Sequence, residues 1–290
     1  MEYYVDLHVH SHHSDGVHSP TSLVEMAATK GLRAIAIADH DSVDGIDEAL
    51  TAGNRLGVEV IPAVELSVEY KRFRDIHLLG YGIDHRDPAL QTSLAEFRRR
   101  RDERGLAIVT RVNNRLVRQG RKSISFEEIA AGATGALGRP HIANALIAKG
   151  HARDMQDAFV NYLIPCNVAK KYFPMSDALN EIHRLGGVSV LAHPTTITPD
   201  RRRLKELVKE LTTLGLDGLE VFNNCCFADD MIFFESLADD MGLIMTGGSD
   251  FHGFEDDVEM GWGRGGLAVS HRLVTALKAR REGRICPSLS

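Results

Sequence analysis

Cysteine is scarce in this chain and long apolar runs are missing. The four cysteines, Cys166, Cys225, Cys226 and Cys286, show no CxxC spacing. That pattern argues against a disulfide framework and fits a reducing, cytoplasmic setting. The four are expected to be small buried hydrophobes or bystanders. No stretch stays apolar for the length of a bilayer, so no membrane span is expected. The polar N-terminus MEYYVDLHVH lacks the charged leader and apolar run of a signal peptide. Positive charge is not in excess. Thirty-four Lys and Arg stand against 40 Asp and Glu, a net −6, so overall charge carries no nucleic-acid signal. Aromatic residues are 6% of the chain, with one tryptophan, Trp262. What remains is an ordinary globular balance, 43% hydrophobic and 26% charged, with enough apolar side chain for a sizeable core. Histidine is the outlier, with 14 residues, many beside carboxylates.

Short apolar runs alternate with amphipathic stretches. Strands are expected at residues 3–7, 33–38, 58–64, 76–83, 188–192, 218–222 and 243–246. Helices are expected at 20–30, 43–56, 177–185, 201–214, 229–241 and 274–281, the first with Ser19 as N-cap and Pro20 opening it. Strand–helix alternation points to a parallel sheet with helices outside. Seven units suit an α/β fold, a distorted seven-stranded (βα) TIM-like barrel. An open doubly wound sheet is the alternative. Residues 87–175 break the rhythm. They have helical periodicity with Leu94, Phe97, Ile108, Val112 and Leu116 near one face, and Arg139-Pro140-His141 opens another helix. The domain reading is therefore a first barrel part at 1–86, a helical insertion at 87–175, forming a lid or small second domain, and a second barrel part at 176–290.

Chemistry-bearing residues stand just past the apolar runs. His8 and His10 share one face of a strand end, a spacing that can grip one metal ion. Asp15 follows in SHHSDG, His40 in ADHD, Glu65 closes VEVIPAVE, His193 follows VSVLA, and Asp250 and His252 follow LIMTGGS. In a parallel barrel such positions converge at the C-terminal rim, where barrel active sites lie. His77 is the exception, near the start of IHLLGYGI. Either that strand runs antiparallel or it is staggered.

Together DLHVHSHHSDG, ADHD, AVE, HLLGYGID, VLAHP and GSDFH resemble the polymerase and histidinol phosphatase (PHP) family over residues 3–84 and 187–253. The intervening stretch with GRPH is similar to the insertion of its nucleotide-phosphoesterase branch. The resemblance implies a PHP barrel and a centre of three divalent ions. His8, His10, Glu65 and Asp250 would hold the first, Glu65, His77 and His193 the second, and Asp15, His40 and His252 the third. Six imidazoles, three carboxylates and no thiolate suit Mn, Fe or Zn. Three carboxylates against three divalent ions leave a surplus of about +3, a trap for phosphate. Glu65, Asp250, His193 and His252 are the expected catalytic set, acting with a metal-activated water. The implied enzyme is a phosphoester hydrolase taking a nucleotide or the 5′ end of a short oligonucleotide, as a 5′–3′ exonuclease or nucleoside bisphosphate phosphatase. A small-metabolite phosphatase, such as one for histidinol phosphate, and a non-catalytic metal-binding accessory module are the alternatives. No obligate protein partner and no membrane are implied.

Arg139 and His141 are expected to bind substrate, Arg because its planar fork suits phosphate. Lys170 and Lys171, where the insertion returns to the barrel, are expected to join them. The basic run Arg98 to Arg101 with Arg104, Arg111, Arg115, Arg118 and Lys122 reads either as a track for an oligonucleotide backbone or as a solvated helix face. Scarce aromatics nearby weaken base stacking. Asp39 and Asp41 are expected to orient imidazoles. His12, His13 and His18 read as surface or supporting groups. Trp262 lines a base pocket or caps the barrel.

Overall fold

A computed structural model describes residues 4–132, 138–254, 256–264 and 266–285. In chain order its strands are β1 (Tyr4–Val9), β2 (Ala34–Ile37), β3 (Glu59–Tyr70), β4 (Phe73–Tyr81), β5 (Phe173–Pro174), β6 (Val188–Leu191), β7 (Gly218–Asn223), β8 (Ile244–Gly248) and β9 (Val269–Ser270). The helices are α1 (Pro20–Thr29), α2 (Ile46–Leu56), α3 (Pro88–Arg118), α4 (Phe126–Gly132), α5 (Arg139–Ala148), α6 (Met155–Ala158), α7 (Met175–Arg184), α8 (Arg201–Thr213), α9 (Ala228–Met241) and α10 (Arg272–Ile285). The chain divides into two compact units, one of Met1–Gln91 with Tyr172–Ser290 and one of Thr92–Lys171.

The first unit is the α/β barrel. Its sheet runs β8-β7-β6-β4-β3-β2-β1-β9, and the seven long strands are the seven read from the apolar runs. The sheet nearly closes, because Val9 bridges in parallel to Phe251, just past β8. At the seam Gly248 lies so close to β1 that a Cβ there would sit 2.4 Å from the His8 backbone nitrogen. Only glycine lets the two strands meet.

The all-parallel expectation fails at β4, and the short edge strand β9 also runs antiparallel to β1. β1, β2 and β3 are parallel, as are β6, β7 and β8, but β4 runs antiparallel to both β3 and β6. The reason is local. A tight turn at Lys71-Arg72, with Lys71 at φ 52°, joins β3 directly to β4, and a connection that short folds the chain back as a hairpin. Of the two readings of His77, the antiparallel strand holds.

Alternation along β2 feeds two apolar layers. Ala34, Ala36 and Ala38 join Leu79, Tyr81, Val190 and Ala192 in one cluster. Ile35 and Ile37 join Leu23, Val24 and Ala27 of α1 and Ala49 and Ala52 of α2 in another. Ser19 caps α1 by accepting from Ser22 N–H, with Pro20 in the first turn. Trp262 stands in the Gly-rich stretch after β8. Its ring packs 5.1 Å from that of Tyr4, at the start of β1 and far from the strand end that carries the histidines.

The second unit has its own core. Ile108, Val109, Val112 and Leu116 of α3 pack with Ile124, Ile129, Ile142, Leu146, Tyr162 and Leu163. The basic run of α3 is largely committed within this unit. Arg99 pairs with Glu96 and Glu103, and Arg100 with Glu96. Arg104 donates to Val168 O at 2.7 Å and to Asn167, and Arg111 also binds the Asn167 carbonyl. These four arginines join helix to loop or neutralise neighbouring acids instead of forming one continuous open stripe. Cys166 is buried, Cys225 is exposed and Cys226 is half-buried. Cys286 and Tyr3 lie outside the described residues.

Candidate metal centre

Backbone hydrogen bonds draw the donor residues together in pairs before any side chain is considered. His10 N–H donates to Phe251 O at 2.9 Å and Val17 N–H to His252 O at 2.9 Å, which ties the loop after β1 to the 250–252 segment. Asp41 N–H donates to Glu65 O and Glu65 N–H to Asp39 O, so His40 and Glu65 form a parallel bridge. Ala192 N–H donates to His77 O at 3.1 Å and sets His193 beside β4. Within the loop after β1, Ser14 and Gly16 N–H both donate to Ser11 O. A Cβ on Gly16 would lie 2.2 Å from His10 O, so the turn that presents Asp15 requires glycine.

Around the fully buried Glu65 carboxylate the imidazoles divide into two groups. Oε2 faces His40 Nδ1 at 2.8 Å and His8 Nε2 and His10 Nε2, both at 3.4 Å. Oε1 faces His77 Nδ1 and His193 Nε2, both at 3.0 Å. Asp250 Oδ1 lies 3.0 Å from His10 Nε2 and 3.4 Å from His8 Nε2. Asp15 lies 3.4 Å from His252 Nε2 and 3.7 Å from His40 Nε2. All nine residues expected as ligands therefore meet in one cluster. Three sets of donor atoms in it each converge within 4.8 Å: His10, Asp15, His40 and His252; His8, His10 and Glu65; and His40, Glu65 and His77.

The donor chemistry fits divalent cations. His8 Nε2, Glu65 Oε2 and Asp15 Oδ1 are buried and make no hydrogen bond. Buried polar atoms without partners are costly. Here His8 Nε2 faces Glu65 Oε2 at 3.4 Å and Asp15 Oδ1 faces His252 Nε2 at 3.4 Å, as donors around an ion do. Two residues also hold uncommon backbone conformations, His193 at φ 25° and Asp250 at φ 54°. Such conformations persist where surrounding structure imposes them, and they gather at functional sites.

Electrostatics are strongly perturbed. Burial opposes ionisation of Glu65, but His40, His77 and His8 hold its carboxyl well below the usual range. Burial opposes protonation of His8, yet Glu220, Glu65 and Asp250 lift it well above the ordinary histidine value. Burial, helped by His252 and His40, lowers His10 to about 4. His252 rises to about 9 against burial, because the Asp15 carboxylate beside it favours the charged ring.

Sequence reasoning missed three residues. Glu220 is fully buried in β7 and places Oε1 2.8 Å from His8 Nδ1, while its Oε2 accepts from His193 N–H at 2.7 Å. Asp6 is fully buried in β1 and accepts from Ser249 N–H and Oγ and from Gly261 N–H. The one available signal was a carboxylate inside each apolar strand. Arg74, near the start of β4, lines a cleft of about 330 Å³ with Asp75, His40, His77, His193, Thr196, Cys225 and Asp250. It also pairs with Glu69.

The two carboxylates that flank His40 accept from neighbouring donors. Asp39 accepts from Ser11 N–H and from the hydroxyls of Ser11 and Ser14, and reaches His10 only through Ser14 Oγ at 3.5 Å. The nearby loop donors take up the carboxylate first. Asp41 accepts from Ser67 N–H at 3.0 Å. The expected substrate residues all lie in the second unit. Arg139 opens α5 and stands over the Phe159 ring at 5.5 Å. His141 Nδ1 accepts from Gly138 N–H at 3.1 Å. Lys170 is half-buried and Lys171 exposed.

Comparison with known proteins places these observations in context. A family model described as the PHP domain matches residues 6–166. The 3′,5′-nucleoside bisphosphate phosphatase of Chromobacterium violaceum is 33% identical over 279 residues, covering 92% of this chain and 90% of that protein. A 5′–3′ exoribonuclease of Haemophilus influenzae is 31% identical, covering 85% of this chain and 89% of its own. A solved structure from Bifidobacterium adolescentis, assigned provisionally to the metal-dependent phosphoesterases, superposes with a TM-score of 0.82 at 28% identity, covering 96% of each chain.

Proposed function

This chain belongs to the PHP-domain family, and from that premise we propose that it hydrolyses phosphoesters of nucleotides or of the 5′ ends of short oligonucleotides at the His8–His252 cluster. It is a hydrolase of phosphoester bonds, as its relatives are named, and metal dependence is named for the Bifidobacterium adolescentis structure that it resembles. The observation that carries the assignment of the site is the split of Glu65, one oxygen facing His8, His10 and His40 and the other His77 and His193. A carboxylate in that position would be shared by two cations.

The reading takes three ions of the Mn, Fe or Zn class. It is supported by an all-imidazole and carboxylate donor set. His8, His10, Glu65 and Asp250 hold one, Glu65, His77 and His193 a second, and Asp15, His40 and His252 a third. Bound there, such ions supply Lewis acidity toward phosphoryl oxygens and a water of lowered pKa. The protein's own residues do the rest. Glu220 fixes the tautomer and angle of His8. Asp250 and Glu65 set the spacing of the imidazoles. Arg74 draws the phosphate into the cleft through its planar donor fork. Arg139, His141, Lys170 and Lys171 are the residues of the second unit proposed to bind substrate. This is supported by the likeness of GRPH to the insertion of the nucleotide-acting branch. A cytoplasmic setting accords with the unpaired cysteines. No described helix is long and apolar enough to cross a membrane.

The test is direct. The purified protein with manganese is given a nucleoside 3′,5′-bisphosphate, a 5′-phosphorylated RNA oligonucleotide and histidinol phosphate, and phosphate and mononucleotide release are followed. Turnover of either nucleotide class is expected. Turnover of histidinol phosphate alone, or none with manganese, iron or zinc, overturns the substrate reading.

A further inference from the structure

Beside the central cluster, and sharing no donor with it, a second group of metal-competent side chains converges. Donor atoms of His12, His13 and Glu48 all lie within 4.8 Å of one another. Consecutive residues of an extended chain point to opposite sides. His12 and His13 do not, because they stand in the turn at residues 12–15, and their rings meet edge to face with centroids 4.6 Å apart.

Each donor is fixed by its backbone or by a neighbour. His12 N–H donates to His18 O at 2.9 Å. His13 N–H donates to Ser11 Oγ at 3.1 Å. The His13 ring lies against Gly45, where a Cβ would come within 2.9 Å of its Cδ2. Glu48, in the first turn of α2, is oriented by Thr21 N–H of α1, which donates to Oε1 at 2.9 Å. Little side-chain ordering is therefore left to pay when an ion arrives. Unlike His8 or Glu65, none of the three is buried, so water completes the shell and the ion exchanges with solvent.

We propose that His12, His13 and Glu48 form a peripheral, exchangeable divalent-cation site of the zinc class, distinct from the central cluster. Two imidazoles and one carboxylate with water in the fourth position are a donor set that zinc accepts. An ion there joins the loop after β1 to α2, and through Glu48 to α1. That loop carries Asp15, so occupancy restrains the loop on which the third set of central donors depends.

The experiment counts ions. Chelator-stripped full-length protein is titrated with zinc chloride at pH 7.5, alongside Glu48→Gln and the double variant His12→Asn/His13→Asn. Stoichiometry is read by calorimetry and by elemental analysis after desalting. Glu48→Gln keeps the acceptor for Thr21 N–H, and circular dichroism checks folding of all three proteins. The wild type is expected to take up one more zinc per chain than either variant. The extra ion is expected to be the first lost on dialysis. Equal stoichiometry in all three proteins overturns the site. Loss of two or more ions in either folded variant also overturns it, since these residues would then support the central cluster.

Discussion

Glu220 and His8, 212 residues apart in the chain, meet with Oε1 2.8 Å from Nδ1, both fully buried. The contact turns the other ring nitrogen, Nε2, toward Glu65 and Asp250. Glu220→Gln keeps the acceptor for His193 N–H but loses the charge that steadies His8. Partners of this kind typically matter 10- to 100-fold. A drop of about that size in manganese affinity and in kcat, with an unchanged melting temperature, is expected. Wild-type manganese affinity in a folded variant would remove the positioning role.

Glu65→Gln keeps the side-chain volume but removes the charge shared by five imidazoles. Turnover should fall at least about 10³-fold, a transition-state loss of about 4 kcal/mol. The protein should also retain fewer metal ions per chain by elemental analysis. Activity within tenfold of wild type would show that Glu65 bridges nothing.

Arg74 lines the cleft without belonging to the nine-residue cluster. Arg74→Ala should raise KM for a nucleotide about tenfold with kcat within about twofold, the signature of lost ground-state binding. Arg74→Lys should recover part of it, since lysine supplies charge without the planar fork. Steady-state kinetics on the three proteins decide the matter. An unchanged KM in Arg74→Ala assigns the side chain to its Glu69 pair alone.

Gly248 is the residue at which the barrel seam closes. Gly248→Ala puts a Cβ 2.4 Å from the His8 backbone and side-chain root. Backbone cannot yield as a flexible side chain would, so a loss of about 3 kcal/mol or more in urea unfolding is expected. Metal uptake should fall with it, because His8 moves.

Asp217 sits at the start of β7, away from the metal cluster. Burial would raise its pKa, but His183, Arg284 and the Ser189 N–H hold it at about 2. A depressed carboxyl stabilises the fold above its unfolded pKa, near 3.8, and loses that contribution as pH falls through about 2. Partial exposure of its partners His183 and Arg284 screens the effect, leaving about 1–2 kcal/mol. Urea unfolding of wild type and Asp217→Asn should differ by that amount at pH 6, and the gap should narrow toward pH 2.5. A gap that stays constant over this range would assign the difference to packing.

The seven strands were legible because each is a short apolar run bounded by turn residues, and the nine side chains that meet in the cluster stood out because most lie just beyond such a run. Glu220 and Asp6 did not. A single carboxylate inside GLEVFN or YVDLHV reads as a strand's polar face until the barrel wraps that face inward. The direction of β4 was left open by the run itself and is set by the two-residue turn before it. Two arginines of the basic run on α3, Arg104 and Arg111, find partners in Asn167 and Val168, more than fifty residues further on and beyond the reach of any local pattern.

Sequence by itself determined the inventory: which donors exist, in what order, and that strand ends would carry them. Those are local properties, written in hydrophobic period and residue type. Tertiary structure alone decided which oxygen of Glu65 faces which imidazole, and that Glu220 stands behind His8. Such contacts join strands far apart in the chain, and their distances exist only once the sheet has curved and nearly closed on itself.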